Sequence, residues 1–309
     1  MADGPVYWHH GLFLQPQHFQ LTDRNLSESL EGLLSAVRPW FWGASSVEVN
    51  AGALAAGRFE FSELSVLFPD GRGLLLASYP GNAVCAARRV PVESFATGEG
   101  LTVYVGLRAI KPDEPNVTVS ESPELMTEAA TRWAVPAEPE SLPDIYGDGP
   151  AAQVQRLKTV LRVVFEPEAP ALTDHSLVPV ARLLREGDVL RLDPVFAPGC
   201  LTLRAAPCLL SLFTDLRDRV LGKARQLEGY KNLSGRSGDL GELAVLLMAL
   251  RSLSRFAARL DHAVRGPNLS PWDAYGILRE LVAELSVFSL EVSALGETWQ
   301  GEQLLPDYD

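Results

Sequence analysis

The chain opens with a stretch in which aromatic, aliphatic and polar residues follow one another closely: Trp8-His9-His10-Gly11-Leu12-Phe13-Leu14-Gln15-Pro16-Gln17-His18-Phe19-Gln20. Its apolar residues Leu12, Phe13 and Leu14 are consecutive, so neither helical nor strand spacing can turn all of them toward one core. Pro16 disfavours helical geometry at Gln15, which predicts an extended segment before any helix. We therefore expect some of these apolar side chains to meet another surface; the alternative is that they fill their own domain.

An amphipathic helix is predicted directly after this stretch. Its apolar residues are spaced by four, three and four positions, namely Leu26, Leu30, Leu33 and Val37. Thr22 or Asp23 is the predicted N-cap, because short oxygen-bearing side chains accept hydrogen bonds from the first free backbone N–H groups. Pro39 is expected to stop the helix, because its ring cannot continue helical hydrogen bonding.

Length and charge restrict the classes of function. At 309 residues the chain can form two domains whose cores need no disulfide or metal. Its formal net charge of -12 gives no basic surface for nucleic acid or an anionic membrane, so protein partners fit better. Cys85, Cys200 and Cys208 lack zinc-site spacing, and we expect buried, reduced thiols. No secretory signal or membrane-length apolar run is evident, which predicts a soluble cytoplasmic protein without direct membrane insertion.

Residues 47–194 contain the short apolar runs, cut by Gly, Pro and Asp, that are typical of strands. In residues 101–107 the odd positions are aliphatic, which predicts one face on a core. With no long helix between them, these strands should pair mostly antiparallel in a sandwich or barrel. Residues 111–150 contain seven prolines and are expected to form a long, partly irregular surface excursion. The predicted strands are residues 47–49, 58–68, 74–79, 83–92, 101–110, 156–165, 178–184 and 189–192.

After Pro207 the apolar residues recur with the helical period. Three long helices are predicted: one begins at Pro207, the second covers residues 240–264, and the third is capped by Ser270 and extends to Leu295. Joined by short loops, they should pack as an antiparallel bundle. Their broad apolar faces either form only an internal core or leave a groove for a fourth helix or a neighbouring protomer.

The opening stretch resembles the signature of the TssK family, the baseplate subunits of type VI secretion. That signature is Trp, two variable positions, Gly, three hydrophobic residues, one variable position and Pro-Gln-His/Gln-Phe-Gln, and every fixed position is filled here. Similar landmarks follow at Trp42-Gly43, Phe68-Pro69-Asp70-Gly71, Asp193-Pro194 and Phe196-Ala197-Pro198-Gly199.

The resemblance implies an α+β multidomain fold. Residues 1–195 would form an N-terminal antiparallel β-sandwich or barrel-like shell domain, related to the shoulder of siphophage receptor-binding proteins. Residues 196–309 would form an antiparallel α-helical bundle neck that stops before the family's C-terminal head. Both expectations agree with the periodicity of the two halves.

The resemblance also implies a non-enzymatic structural adaptor. TssK family members form homotrimers that bind the TssF and TssG wedge proteins, and their head contacts the membrane complex TssJ–TssL–TssM. Because the head is missing here, only baseplate attachment is expected of this chain, in the cytoplasm at the inner-membrane-associated baseplate. The candidate interface residues are those of the signature: Trp8, Gly11, Leu12, Phe13, Leu14, Pro16, Gln17, His18, Phe19 and Gln20.

Two other functions remain open at this point. A phage-tail-like receptor-binding adaptor would share the fold class. A metal-dependent hydrolase would need ligands such as His9, His10 and His18, although consecutive side chains of an extended segment point in different directions. The sequence contains no phosphate-binding loop and no GxSxG, HExxH or EF-hand motif. We therefore expect no enzyme activity, no cofactor and no metal, and a solvated or structural role for the isolated His175 and His262.

Overall fold

The computed structural model describes residues 4–38, 40–68, 75–95, 100–230, 240–290 and 292–294. The chain divides into two compact units after Leu201. Strands dominate the first unit and helices the second, which confirms the predicted α+β fold class. Among the described residues, no helix is both long and apolar enough to cross a membrane. The proline at position 39 and residues 69–71 of the landmark that begins at Phe68 lie outside the described residues.

The first helix, α1, spans Pro16–Val37. Gln15 has extended backbone angles, φ -131° and ψ 156°, as the following proline predicts. The predicted N-caps Thr22 and Asp23 are wrong, because Pro16 starts the helix at a position where no backbone N–H is needed. The Thr22 hydroxyl instead donates to the carbonyl one turn earlier in the helix, 2.8 Å away.

The β-rich unit is built from short strands. The predicted runs 58–68 and 83–92 each break into two strands, and the other predicted strands recur with small changes at their ends. Two short helices interrupt the strands, α2 (Ala51–Ala55) and α3 (Pro123–Thr127). The strands are β1 (Gly43–Val49), β2 (Arg58–Phe59), β3 (Phe61–Phe68), β4 (Leu75–Tyr79), β5 (Ala83–Cys85), β6 (Arg88–Arg89), β7 (Leu101–Arg108), β8 (Val117–Ser120), β9 (Trp133–Pro136), β10 (Glu140–Leu142), β11 (Ala152–Val154), β12 (Lys158–Phe165), β13 (His175–Glu186) and β14 (Val189–Leu192).

The larger sheet has the strand order β14-β13-β7-β12-β9-β8, and β5 also pairs with β12. The pairs from β14 to β9 are antiparallel, whereas β8–β9 and β5–β12 are parallel. The prediction of mostly antiparallel pairing is confirmed, and the sheet is mixed. A tight turn joins β13 to β14, and Gly187 supplies its positive φ of 66°.

A smaller antiparallel sheet has the order β1-β3-β4. One hydrophobic core contains buried residues of both sheets, such as Leu64 and Val66 of β3 and Val103 and Val105 of β7. The aliphatic residues at the odd positions of β7 are all buried, which confirms the predicted alternation. Removal of this apolar surface from water is the main contribution to the stability of the unit.

Residues 111–150 are more regular than predicted, since they contain β8, α3, β9 and β10. Local side-chain hydrogen bonds position the beginning of β8. Asn116 accepts a bond from the Lys111 N–H at 2.9 Å and donates one to the Lys111 carbonyl at 2.7 Å. The hydroxyls of Thr118 and Thr131 also share a hydrogen bond of 2.7 Å. Strand β8 alternates apolar and polar residues over only four positions, and its Val117 and Val119 are exposed, so the strand depends on these polar contacts more than on an apolar face.

Two side chains of this unit form hydrogen bonds with backbone groups at strand edges. On β4, Asn82 accepts a hydrogen bond from the Ser78 N–H at 2.7 Å and donates one to the Leu76 carbonyl at 2.8 Å. On β12, the Arg88 guanidinium donates to the Val163 carbonyl at 2.8 Å. In both places a side chain satisfies groups that a neighbouring strand would otherwise bind.

The landmarks Trp42-Gly43 and Gly199 contact each other. The Ala44 N–H donates to the Gly199 carbonyl at 2.8 Å, and a Cβ on Gly43 would lie only 2.7 Å from that oxygen. Gly43 also has φ +117°, a conformation that L side chains rarely adopt. A Cβ on Gly199 would lie 3.1 Å from the Trp42 ring. Glycine at position 43 therefore permits the close approach of these two backbone segments.

The second unit contains the predicted helices α4 (Pro207–Glu228), α5 (Leu240–Arg265) and α6 (Pro271–Ser286). Pro207 lies in the first turn of α4, and the Ser270 hydroxyl accepts a hydrogen bond from the Asp273 N–H at 3.1 Å, which confirms both predicted starts. Their buried residues form a core of their own, which includes Phe213, Val220, Phe256, Leu260, Ile277 and Leu281.

Helix α6 is shorter than predicted. It ends at Ser286, so the expected continuation toward Leu295 is wrong for residues 287–290, and Leu295 itself lies outside the described residues. The Ser286 hydroxyl donates to the Ala283 carbonyl at 2.8 Å, which competes with helical hydrogen bonding. Beyond it, Val287 and Leu290 are strongly exposed, so contacts with the described residues give little packing energy to a longer helix.

Candidate protein-protein interface

The opening segment, residues 4–20, turns back on itself before α1. His10 and Gly11 form the turn, in which the Leu12 N–H donates to the His9 carbonyl at 3.2 Å. Gly11 has φ +83°, a value that glycine adopts without steric cost. Because the chain reverses direction here, the Trp8 side chain lies beside the first turn of α1.

His18 stabilises the beginning of α1. Its Nδ1 accepts a hydrogen bond from the Gln15 N–H at 3.1 Å, and its own N–H donates to the Gln15 carbonyl at 3.1 Å. Sequence reasoning placed His18 in the interface but did not identify this capping role, because the cap was expected further along the helix.

An aromatic cluster joins the segment to α1. The Trp8 ring centroid lies 6.1 Å from that of His18 and 6.4 Å from that of Phe19, which is within the range of aromatic contacts. Trp8 and Phe19 nevertheless remain about half exposed. The structure thus brings three of the predicted site residues together and leaves an aromatic surface open to solvent.

The consecutive residues Leu12, Phe13 and Leu14 differ in exposure. Leu12 is half-buried, whereas 80% of Phe13 and 54% of Leu14 are exposed. Other candidate residues are exposed polar or turn positions, namely Gly11, Pro16, Gln17 and Gln20. Clustered aromatic residues on a surface are typical of protein interfaces, and the role of this segment stays a prediction.

Helix α1 carries an exposed apolar surface that lies mostly outside the signature. The apolar stripe of α1 consists of Phe19, Leu26, Leu30, Leu33 and Val37, whose exposed fractions lie between 47% and 69%. At a rise of 1.5 Å per residue, the stripe is about 27 Å long. The sequence predicts the helix, but helical spacing alone does not tell whether the chain's own core covers its apolar face.

Two histidines of the opening segment use their Nδ1 atoms for contacts within the chain. His9 Nδ1 lies 3.1 Å from the carbonyl oxygen of His10, and His18 Nδ1 is used by the helix cap. Across the ranges that the structure describes, no group of three or more His, Cys, Asp or Glu side chains could hold a metal ion.

A charged network surrounds His175, which is isolated from other histidines in the sequence. Its Nδ1 lies 2.7 Å from Asp174 Oδ1, and Asp174 Oδ2 lies 3.1 Å from Lys111 Nζ and 3.4 Å from Arg108 Nε. The hydrogen bond from Lys111, assisted by His175 and Arg108, holds the pKa of Asp174 well below its usual range. Burial lowers the pKa of His175 although Asp174 opposes the shift. This network connects residues 108–111 to the start of β13 and so has a structural role.

The three cysteines are thiols that form no disulfide. Cys85 is buried, and burial raises the pKa of its thiol to about 12. Cys200 and Cys208 are only half-buried, so the expectation of complete burial is wrong for these two.

Comparison with known families identifies the class of protein. The family described as "Bacterial Type VI secretion, VC_A0110, EvfL, ImpJ, VasE" matches residues 18–309. The match covers almost the whole chain, which therefore belongs to this family of bacterial type VI secretion proteins.

Within that family the chain is similar to TssK, which confirms the family resemblance expected from the sequence. It is 27% identical over 288 residues to the type VI secretion system baseplate component TssK1 of Pseudomonas aeruginosa. That alignment covers 92% of this chain and 61% of TssK1, so the chain spans about three fifths of its relative.

Solved structures confirm the fold. The crystal structure of TssK matches with a TM-score of 0.76 at 24% identity, covering 94% of this chain and 62% of that one. A chain of the TssK-TssF-TssG baseplate subcomplex, determined by cryo-electron microscopy, matches with a TM-score of 0.78 at 23% identity, covering 95% and 90%.

Proposed function

We propose that this chain is a non-enzymatic structural adaptor of the type VI secretion baseplate. It forms homotrimers and binds the TssF and TssG wedge proteins. The observation that carries the proposal is the exposed aromatic and aliphatic surface of the opening segment, formed by Trp8, Phe13, Leu14 and Phe19. An apolar surface of this kind is stabilised when a partner removes it from water.

The relatives support the baseplate role. TssK1 is a baseplate component, and the matched cryo-electron microscopy chain belongs to a TssK-TssF-TssG subcomplex. A baseplate location implies that the chain lies in the cytoplasm beside the inner membrane. Contact with the membrane complex TssJ–TssL–TssM is not proposed for these residues, because the chain covers only about three fifths of TssK1.

Within the opening segment, Trp8 and Phe13 are the expected anchors. Large aromatic side chains dominate binding energy when a partner's pocket excludes water from them, and truncation of such an anchor costs about 2 kcal/mol or more. Gly11, Pro16 and His18 would act indirectly, since they shape the turn and the helix start. Gln17 and Gln20 are exposed and can donate hydrogen bonds around the anchors.

The proposed function is tested by mass and by binding. Light scattering at several concentrations should give three times the chain mass of 33.6 kDa. Immobilised TssF–TssG should capture the unmodified chain, and the double variant Trp8→Ala/Phe13→Ala should bind at least tenfold more weakly.

A matched control is available in the same unit. Ile145 and Tyr146 are also strongly exposed, at 81% and 95%, but lie far along the chain from the signature. The double variant Ile145→Ala/Tyr146→Ala should retain binding. Equal capture of both double variants would remove the opening segment from the interface, and a monomer without wedge binding would contradict the adaptor function as a whole.

A further inference from the structure

The apolar stripe of α1 follows a seven-residue repeat. Phe19, Leu26 and Leu33 are separated by seven residues, as are Asp23, Leu30 and Val37. The two series alternate at spacings of four and three, which is the a and d pattern of a coiled coil. Phe19, Leu26 and Leu33 take the d positions, and Asp23, Leu30 and Val37 take the a positions. Apart from Asp23, each of these residues is large, apolar and about half exposed or more.

The positions beside the stripe are uncharged. Gln20, Ser27 and Leu34 take the e positions, and Thr22, Ser29 and Ala36 take the g positions. In parallel coiled coils these positions face a neighbouring helix, and charged residues there select partners of opposite charge. Identical copies would place like charges near each other at a symmetric axis. The e and g positions of this helix avoid that cost, whereas Asp23 at an a position would bring three carboxylates together. Small or uncharged residues also lose less solvation when several helices cover them.

The charged residues of α1 other than Asp23 lie away from the stripe. Arg24 and Glu31 occupy b positions and Glu28 an f position, and Arg24 Nε lies 2.7 Å from Glu28 Oε1. The chain's own N-terminal segment also lies on this side, because the Asn25 amide donates to the Gly4 carbonyl at 3.1 Å. The chain therefore partly covers the polar face of α1 and leaves its apolar face open.

We propose that the apolar stripe of α1 packs against the same stripe of two further copies of this chain, in a short parallel three-helix coiled coil. The proposal rests on the homotrimer of the proposed function and adds where its copies touch. Three-fold symmetry brings equivalent residues of parallel helices together, which suits a helix whose flanking positions carry no charge. Asp23, the polar a residue, would define the register of the three helices at a cost in stability.

Cysteine cross-linking tests the contact directly. Leu30→Cys and Val37→Cys place thiols at a positions, and diamide oxidises two neighbouring thiols to a disulfide while it takes up their hydrogens. Both variants should give disulfide-linked dimers, because a trimer pairs two of its three thiols. Val37 lies at the end of α1, so only parallel helices bring its copies together.

Leu21→Cys is the matched control. Leu21 is also an exposed leucine of α1, but it occupies an f position on the side away from the stripe. Leu21→Cys and the unmodified chain, whose own cysteines are buried or half-buried, should give at most a tenth of the cross-linked product. Equal cross-linking at positions 21 and 30 would overturn the specific contact.

The mass of the chain distinguishes failure of this inference from failure of the proposed function. A trimeric mass without cross-linking at positions 30 and 37 would keep the homotrimer and refute the contact through α1. A monomeric mass without cross-linking would refute both. If Leu26→Ser/Leu33→Ser remained trimeric but lost wedge binding, a wedge protein would be the occupant of the stripe and the inference would be wrong.

Discussion

Gly43→Ala should strongly destabilise the β-rich unit although it adds only one methyl group. The new Cβ would lie 2.7 Å from the Gly199 carbonyl oxygen and 2.8 Å from the Cys200 nitrogen, and both are backbone atoms that cannot move aside cheaply. The residue would also keep φ +117°, which costs about 1–3 kcal/mol for a side chain other than glycine. The separation of these segments would further weaken the two hydrogen bonds of Ala44, each worth about 1 kcal/mol.

These contributions give an expected loss of about 2–5 kcal/mol. Amide hydrogen exchange, followed by mass spectrometry, measures the loss locally and does not require the two units to unfold together. The amides of Ala44 and Leu201, which are bonded at 2.8 Å to the carbonyls of Gly199 and Ala44, should exchange at least about 30-fold faster in the variant.

Gly57→Ala is the control for this experiment. Gly57 also has a positive φ, +77°, but a Cβ there would meet no atom within 4 Å. Its cost is limited to the backbone conformation, about 1–2 kcal/mol. Exchange at Ala44 and Leu201 that changes less than threefold in Gly43→Ala would show that the contact with Gly199 does not require glycine.

Three further predictions concern the cores and titratable groups. Phe256→Ala should lower the free energy of unfolding of the helical unit by about 3–5 kcal/mol in urea, whereas exposed Leu212→Ala should change it by less than about 0.5 kcal/mol. His175 has a lowered pKa when folded, so the unfolded chain binds more protons and stability should fall as the pH drops below about 6.5; in urea titrations at pH 7 and 5, His175→Asn should reduce that dependence. Iodoacetamide at pH 8 should leave Cys85 unlabelled in the native chain, as peptide mass spectrometry would show, and label it after unfolding.

The elements that could be predicted are those with a long apolar period. Strand β7 alternates over Leu101, Val103, Val105 and Leu107, and the structure buries each of these side chains. Helices α4 and α6 begin where Pro207 and Ser270 predict. In such elements the residues that form the local structure also form the core. The secondary structure that the apolar spacing predicts is therefore the one that core packing stabilises.

Other elements depend on polar contacts that spacing does not reveal. Strands β8 and β9 are short, and Asn116 and Thr118 position them through hydrogen bonds to residues that are close in space. The start of α1 depends on His18, a residue type that helix caps rarely use. The end of α6 depends on the loss of packing beyond Ser286.

The candidate interface was only partly predictable. The spacing of Leu12, Phe13 and Leu14 excludes a shared core, and the structure exposes the last two. The sequence alone does not reveal that Trp8 contacts Phe19, because the turn at Gly11 creates that contact. The exposure of the α1 stripe also follows only from the folded chain, and the partner that covers it stays a prediction.

The hydrogen bonds of Asn82 along β4 have a consequence for behaviour at high concentration. An open strand edge is a template on which another molecule can add a strand, and repeated addition leads to fibrils. Because Asn82 binds both the Ser78 N–H and the Leu76 carbonyl, an incoming strand would have to displace two existing bonds at this edge. In the homotrimer proposed above, the copies would then associate through side-chain surfaces, and one amide side chain would disfavour strand addition at the edge of β4.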